Sequence, residues 1–331
     1  MRFFRLLAVL LAAVATKAAS EVDTQTFIPE SGFYWNQDQP GRGYAIEVQD
    51  RTLFMTAYTY TEEGNPANRD PLWFSASGTA FRDTTSGSVT YRFGDELFIS
   101  REGQCLGCAF VDNVTTSTGR PIQITFTSAA TATMVIDGET IELVRFWYTP
   151  SINDPIFALF GQWMIVTDFT DVDDGILPFD GDLLEIGFEA TQDGQRIAEG
   201  FRGGTALAVS AAFDSGTQNY VIVVGERQDE FLAYYFPTIN FGTDRFIGQA
   251  ERFTPGSNLT GLGFPAQGYR ISDRTHTERV LGAKRATRAK AVGEPSKPRH
   301  LQGKNLEPVI DVAALNRVVR RLEKQVQLAL E

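Results

Sequence analysis

Carboxylates are the residues best placed to do chemistry in this chain, because the usual catalytic bases are scarce. The only two histidines, His276 and His300, lie in the basic C-terminal part of the sequence. A nucleophilic Ser or Cys needs a neighbouring base, so Ser-His-Asp or Cys-His catalysis is not expected. The sequence has no P-loop, zinc-protease or dinucleotide motif. We therefore assign no catalytic residue and favour a protein that is not an enzyme.

Six aspartates lie close together between Asp168 and Asp182. Among them, Asp171, Asp173 and Asp174 are candidate ligands for Ca²⁺, a cation that prefers several oxygen atoms and is the only cofactor the sequence suggests. The segment lacks the spacing of an EF-hand, so a solvated acidic loop is the other interpretation. Paired carboxylates could also serve a hydrolase, although spacing alone selects no pair.

Aromatic side chains form the second candidate site. Tyr34, Trp35, Tyr58, Tyr60 and Trp73 lie near the ends of predicted strands, where the mouth of a barrel would be. Rings with a few polar partners hold sugars and small amphipathic ligands, so these five are candidate ligand-binding residues. Packing in the core and rim of a barrel is the other interpretation, because aromatic residues favour strands.

The only two cysteines, Cys105 and Cys108, are separated by two residues. In a secreted chain an isolated pair favours a disulfide. A zinc site would need a second pair of ligands. A redox-active pair usually opens a helix, whereas glycines and predicted strands flank this one. We predict a structural Cys105–Cys108 disulfide.

Strands are the elements that must position these residues. Between residues 31 and 255 apolar and polar side chains alternate, as around Tyr44, Ile46 and Val48, and this period of two indicates antiparallel sheets. The dipeptide Asp137-Gly138 is typical of a two-residue hairpin. We predict an all-β fold of two antiparallel meander modules. The first, 21–150, has eight strands at about 32–36, 43–49, 52–60, 71–78, 87–93, 121–127, 130–136 and 139–148. The second, 156–255, has seven strands, from about 161–167 to about 244–253. Each is an up-and-down barrel or, alternatively, a sandwich.

The two modules share an opening glycine and tryptophan and a closing Arg-Phe. The matching positions are Gly32/Trp35 with Gly161/Trp163, and Arg145-Phe146 with Arg252-Phe253. This correspondence suggests a diverged internal repeat.

Residues 1–20 have the layout of a secretory signal peptide, with Arg2 and Arg5 before an apolar run too short to span a bilayer. Residues 21–271 carry 34 acidic residues against 14 Arg and no Lys. Such a body repels phosphate backbones, which argues against nucleic acid as a partner. We therefore expect a secreted or periplasmic protein.

The composition changes after residue 271. Residues 272–307 are rich in Lys, Arg, Ala, Pro and Ser, which predicts a disordered basic linker. Residues 308–330 carry apolar side chains at steps of three and four, which predicts one amphipathic helix. Its apolar stripe needs a partner. That partner is the β modules, a second copy of the chain, or the surface of the cell envelope.

Glycines and aromatics recur in a distinctive order at the start of the first module. They are Ser31-Gly-Phe-Tyr-Trp-Asn36, Gly41-Arg-Gly-Tyr44, Tyr58-Thr-Tyr60, Gly64-Asn-Pro66 and Trp73-Phe74 with Gly78. Over residues 31–148 this order resembles an uncharacterised module of secreted and envelope proteins of Gram-negative bacteria, from which Ala67–Pro71 departs as an insertion. The resemblance implies a β fold and an envelope compartment, and no reaction.

These observations favour a non-enzymatic, β-rich secreted or periplasmic protein that serves as an envelope-associated binding or structural component. The alternative is a carboxylate-based hydrolase of extracellular glycans.

Overall fold

The structure, a computed structural model, describes residues 27–61, 69–85, 89–148, 154–170, 179–205, 207–227, 230–272, 277 and 311–330. Two antiparallel β-barrels follow one another in these ranges, and one long helix packs on the second. The all-β prediction is confirmed, and both modules are barrels rather than sandwiches. Three predictions lie outside the described residues: the signal peptide at 1–20, the Ca²⁺ ligands Asp171, Asp173 and Asp174, and nearly all of the basic linker.

Eight strands close the first barrel and a short ninth lies beside its seam. The strands are β1 Gly32–Trp35, β2 Gly43–Gln49, β3 Thr52–Tyr60, β4 Pro71–Thr79, β5 Phe81–Asp83, β6 Thr90–Glu102, β7 Asn113–Phe126, β8 Thr131–Ile136 and β9 Glu139–Arg145. Their order around the wall is β4-β3-β2-β1-β9-β8-β7-β6. Closure is short, because β4 meets β6 only where Phe74 pairs with Ile99 and Ser75 with Phe98.

Alternating side chains fill this barrel. Along β3, Leu53 and Met55 are buried whereas Phe54 and Tyr58 face outward, as the two-residue period of a strand requires. The turn Asp137-Gly138 joins β8 to β9 with positive φ angles of 50° and 81°, which confirms the predicted hairpin. The inward side chains meet in one apolar core.

Strands β6 and β7 extend well past the barrel wall. The sequence predicted strands at 87–93 and 121–127, but pairing continues to Glu102 opposite Asn113. We call residues 98–117 the arm. Every residue from 101 to 117 except Gly103 is exposed, so no buried face imposes the alternation that the sequence analysis relied on.

The second barrel has eight strands, one more than the sequence predicted. They are β10 Gly161–Asp168, β11 Phe179–Gln192, β12 Gln195–Arg202, β13 Ala208–Asp214, β14 Asn219–Arg227, β15 Glu230–Pro237, β16 Arg245–Phe253 and β17 Phe264–Ser272. The predicted module end at 255 is wrong, because β17 pairs with both β16 and β10 and closes the barrel. The sequence analysis missed β17 because Pro265 and Gly268 are both unusual inside strands.

One end of the second barrel is sealed around Trp163. This indole is fully buried and its Nε1 donates a hydrogen bond to the Leu159 carbonyl at 2.8 Å. The Arg270 guanidinium lies 4.2 Å from the centre of the ring. Gly161 leaves space for Arg270, because a Cβ there would lie 2.8 Å from Arg270 Nη1 and 2.6 Å from the Ser272 carbonyl oxygen. A short helix, α1 (Pro155–Ala158), precedes the strand.

The first barrel repeats this arrangement with Tyr34 in place of the indole. The buried Tyr34 hydroxyl donates to the Glu30 carbonyl at 2.7 Å. A Cβ on Gly32 would lie 2.6 Å from Arg145 Nε. The residues that correspond in space are therefore Tyr34 with Trp163, and Arg145 with Arg270. The sequence analysis matched Trp35 with Trp163 and Arg145 with Arg252, and the structure shows that these two pairs do not correspond.

The sealed ends of the two barrels face each other. The buried Glu30 carboxylate accepts hydrogen bonds from the backbone N–H groups of Thr243 and Asp244, at 2.7 and 3.1 Å. Arg145 donates to the Thr243 hydroxyl, and Arg270 donates to the Thr243 carbonyl at 2.8 Å. The arginines of both barrels thus converge on one loop, which couples the barrels mechanically.

The C-terminal helix α2 (Val312–Leu330) packs across the outer wall of the second barrel, over β13 and β14. It begins four residues after the predicted start at 308, because the Asp311 carboxylate caps it by accepting from the Ala314 N–H at 3.0 Å. Its apolar stripe is buried on this wall: Ala314, Leu315, Val318, Val319, Leu322 and Val326. The stripe therefore finds its partner within the chain. Neither helix of the described residues is both long and apolar enough to cross a bilayer.

Candidate functional site

Three of the five predicted aromatic residues lie together on the outer wall of the first barrel. Tyr58 on β3 is directly opposite Trp73 on β4, and Tyr60 is opposite Pro71. Tyr58, Tyr60 and Trp73 are 43%, 52% and 58% exposed. The sequence analysis expected these rings at a barrel mouth. The even-numbered residues of β3 instead point away from the core, which puts the rings on the side of the barrel.

Tyr34 and Trp35 do not belong to this cluster. Tyr34 is buried in the sealed end of the barrel, and burial together with the nearby Glu30 carboxylate raises the pKa of its hydroxyl well above the usual range. Trp35 packs edge-on against Phe146, with ring centres 5.2 Å apart. For both residues the packing interpretation fits the structure better than ligand binding.

The exposed rings line a continuous open trough formed by β3, β4 and β6. Two adjoining pockets of about 480 and 390 Å³ share Tyr58, Trp73 and Ser100. The described lining residues are Gly41, Phe54, Thr56, Tyr58, Thr59, Tyr60, Pro71, Leu72, Trp73, Phe74, Ser75, Ser100, Glu102, Gly103, Gln104 and Asn113. From Phe54 to Tyr60 the floor is about 20 Å long, at the usual rise of a strand.

The rim of the trough is polar and almost uncharged. Thr56, Ser75, Ser100, Gln104 and Asn113 supply hydroxyl and amide groups. Among the described lining residues Glu102 alone carries a charge. Such a surface offers stacking faces on its floor, with donors and acceptors at its edge.

The cysteine pair lies at the tip of the arm, next to this rim. Cys105 and Cys108 form the predicted close, disulfide-bonded pair, with Cα atoms 5.2 Å apart. The Gln104 amide donates to the Cys108 carbonyl at 2.8 Å, and the Cys108 N–H donates to the Cys105 carbonyl at 3.1 Å. The bridged turn therefore holds Gln104 at the edge of the trough.

Sequence analysis missed Phe54, Ser100, Gln104 and Asn113 as members of this site. Phe54 had a detectable signal, because it shares one face of β3 with Tyr58 and Tyr60. The other three come from the arm, where the sequence lacks the alternation that would have predicted the pairing of β6 with β7.

The end of the second barrel opposite Trp163, which we call its open end for the described residues alone, holds a different cluster, made of paired charges. Arg202 contacts both Asp182 and Glu226, and Glu226 also accepts from Arg252 Nε at 2.8 Å. The Tyr234 hydroxyl donates to Asp182 at 2.7 Å. Burial raises the pKa of the Asp182 carboxyl in spite of these partners.

This charged layer leaves no room for a ligand of useful size. The cavity between its side chains measures about 20 Å³, whereas a single water needs about 10–15 Å³ of such space. Each carboxylate of the layer already faces an arginine. The described interior of the second barrel is therefore a filled core and not a binding chamber.

A metal site is not apparent in the part of the chain that the structure describes, which contains no group of three potential ligands. Asp171, Asp173 and Asp174 lie outside that part, so the calcium prediction stays a prediction. Comparison of the chain with protein families, with curated proteins and with solved structures finds no match.

Proposed function

We propose that the protein is a non-enzymatic secreted or periplasmic binding protein that holds a neutral glycan in the trough of its first barrel. The observation that carries this proposal is the pair Tyr58 and Trp73, opposite one another and about half exposed, with Phe54 and Tyr60 beside them. Burying one large apolar side chain contributes about 1.5–3 kcal/mol. A contiguous exposed set of such side chains is typical of an interaction site.

The chemistry of the rim favours a ligand rich in hydroxyl groups. A sugar ring presents C–H groups to an aromatic face and hydroxyl groups at its edge, which matches a ring-lined floor with amide and hydroxyl groups around it. The described lining has no cation to pair with an anionic ligand, and Glu102 would repel one. The length of the floor suits a chain of several sugar rings rather than a single one.

The compartment is part of the same proposal. It is supported by the layout of residues 1–20, the acidic body, the close cysteine pair and the resemblance of residues 31–148 to envelope modules. Attachment to the envelope would then come through the bound glycan, since the apolar stripe of α2 is packed on the second barrel.

A glycan hydrolase gains no support from the described residues. Two facing carboxylates are needed for hydrolysis, and the described lining of the trough supplies only Glu102. Asp182 and Glu226 are engaged by arginines around a cavity too small for a sugar.

The test is titration calorimetry of residues 21–331 with a panel of neutral and anionic oligosaccharides. We expect a neutral oligosaccharide to bind. Trp73→Ala and Tyr58→Ala should each weaken this binding about tenfold or more, as loss of a central aromatic anchor does. Phe81→Ala is the matched control, because Phe81 is 56% exposed on β5 and is not part of the trough lining. Absence of binding across the panel, or equal effects of Trp73→Ala and Phe81→Ala, would refute the proposal.

A further inference from the structure

The arm carries an unpaired strand edge on β7. On one side, β7 pairs with β6 along the arm. On the other side, β8 pairs only with residues Ile122 to Phe126. In the described part of the chain, residues 113–118 therefore have a strand neighbour on one side only. In an antiparallel strand, alternate residues turn both N–H and C=O to the same side, so about three residues here present both groups outward.

Along its own length this edge lacks charge and proline, two of the devices that prevent strand pairing, and a register shift between Glu96 and Phe98 marks its C-terminal end. Natural edges are protected by charged side chains, proline, bulges or short length. Residues 113–118 read Asn-Val-Thr-Thr-Ser-Thr, with no charge and no proline. Valine and threonine also favour strands. The nearest charges along the chain are Asp112, directly before the edge, and Arg120, two residues after it.

Large apolar side chains are exposed beside the same edge. Leu106, Phe110, Val111 and Val114 are 104%, 77%, 53% and 47% exposed. Residues 101–117 are exposed apart from Gly103, so the described part of the chain leaves these four side chains largely uncovered. Clustered apolar exposure of this kind marks an interaction surface.

We infer that the arm pairs with the arm of a second copy of this chain. Residues 113–118 of the two copies run antiparallel about a two-fold axis, and the two hairpins merge into one four-stranded sheet, β6-β7-β7-β6. An edge that pairs with itself in this way uses one patch per chain and closes at the dimer. In that register Thr115 lies opposite Thr116 and Val114 opposite Ser117, and the paired threonines favour the association.

The charges that flank the edge suit a second copy as the occupant, because antiparallel pairing of two identical edges brings Asp112 of each copy toward Arg120 of the other. The barrels are strongly acidic and repel each other, whereas the edge itself carries no charge. Antiparallel pairing puts the two barrels at opposite ends of the shared sheet. From Phe98 to Glu102 the paired part of the arm is about 13 Å long at the usual rise of a strand, which exceeds the screening length of about 8 Å at physiological ionic strength.

The experiment is sedimentation velocity on residues 21–331 over a range of protein concentrations. We expect a concentration-dependent dimer that is lost in Val114→Lys/Thr116→Lys, because lysines on a pairing edge meet like charges and resist strand addition. Gln123→Lys is the matched control. Gln123 is exposed on the same strand but is paired on both sides, with Gly94 and Val135, so its variant should still dimerise.

Two results would overturn the inference: a wild-type chain that stays monomeric at all concentrations, or a dimer that survives the double lysine substitution. Near-ultraviolet circular dichroism checks that the lysine variant is folded. If it is not, hydrogen exchange of the wild type decides. The amides of residues 113–118 should become protected as concentration rises, and unchanged exchange there would contradict the proposed pairing.

Discussion

The two barrels close in the same way but treat their outer walls in opposite ways. Each is sealed by a glycine, a buried aromatic ring and an arginine, and the sealed ends meet at Thr243. The second barrel buries the apolar side chains on the outer face of β13 and β14 under α2, whereas Met164, Tyr269 and Ile271 on β10 and β17 stay exposed. The first barrel leaves Phe54, Tyr58 and Trp73 open to solvent.

We assign a role in stability to the wall that α2 covers, and a role in ligand recognition to the exposed rings of the first barrel. Apolar residues on the outer wall of the second barrel, such as Val223 and Tyr235, are accounted for by the helix that covers them. The aromatic residues of the trough contribute little to folding because they stay exposed, so their placement points to a ligand. In the proposed function the first barrel presents the binding surface and the second barrel supports it.

The two tryptophans Trp163 and Trp73 give the largest expected contrast. Trp163→Ala removes a fully buried ring and should lower the free energy of unfolding by about 3–5 kcal/mol. Trp73→Ala removes an exposed ring and should change that free energy by less than about 0.5 kcal/mol. Urea denaturation measures both. Similar losses in the two variants would contradict the division of roles.

The helix provides the next contrast. Leu322 is fully buried between α2 and the barrel wall, so Leu322→Ala should cost about 2–4 kcal/mol. Arg317→Ala, on the exposed face of the same helix, should stay within about 0.5 kcal/mol of the wild type. Thermal denaturation of the three proteins provides the comparison. A Leu322→Ala protein as stable as the wild type would show that packing of α2 does not stabilise the wall of the second barrel.

The junction between the barrels should respond more weakly. Glu30→Ala leaves the N–H groups of Thr243 and Asp244 without their acceptor, which should cost about 1–3 kcal/mol. Because Glu30 links the barrels, we also expect calorimetry to resolve two unfolding transitions where the wild type shows one. A single transition at the wild-type temperature would mean that the junction does not couple them.

The smallest effect concerns the charged layer of the second barrel. Burial raises the pKa of Asp182 above its usual value of 3.8, so the folded protein holds this proton more tightly than the unfolded chain. The contribution of Asp182 to stability is therefore fully present below about pH 4 and is lost as pH rises through the folded pKa. The unfolding free energy of the wild type minus that of Asp182→Asn should be larger at acid pH than at pH 7. The opposite slope would contradict this account.

The sequence predicted most of the walls because one buried face per strand imposes a period of two. It gave β3, β4, β8 and β9 close to their observed bounds and the Asp137-Gly138 hairpin. It failed in the exposed arm, where that constraint is absent, and in β17, whose proline and glycine are unusual inside strands. Tyr58, Tyr60 and Trp73 were identified by residue type, but only the register of β3 against β4 and the closure of β4 on β6 show that they share a surface with Ser100 of the arm. The pairing of β4 with β6 joins strands that are not neighbours in the sequence, so a local sequence pattern does not predict it.

Hydrogen exchange with and without a bound oligosaccharide tests the central claim most directly, because it maps the site without mutation. We expect slower exchange in β3, in β4 and at residues 98–104, and no change in Asp182, Tyr234 or the other residues at the open end of the second barrel. Protection confined to the second barrel, with the trough unchanged, would contradict the assignment of the binding surface to the first.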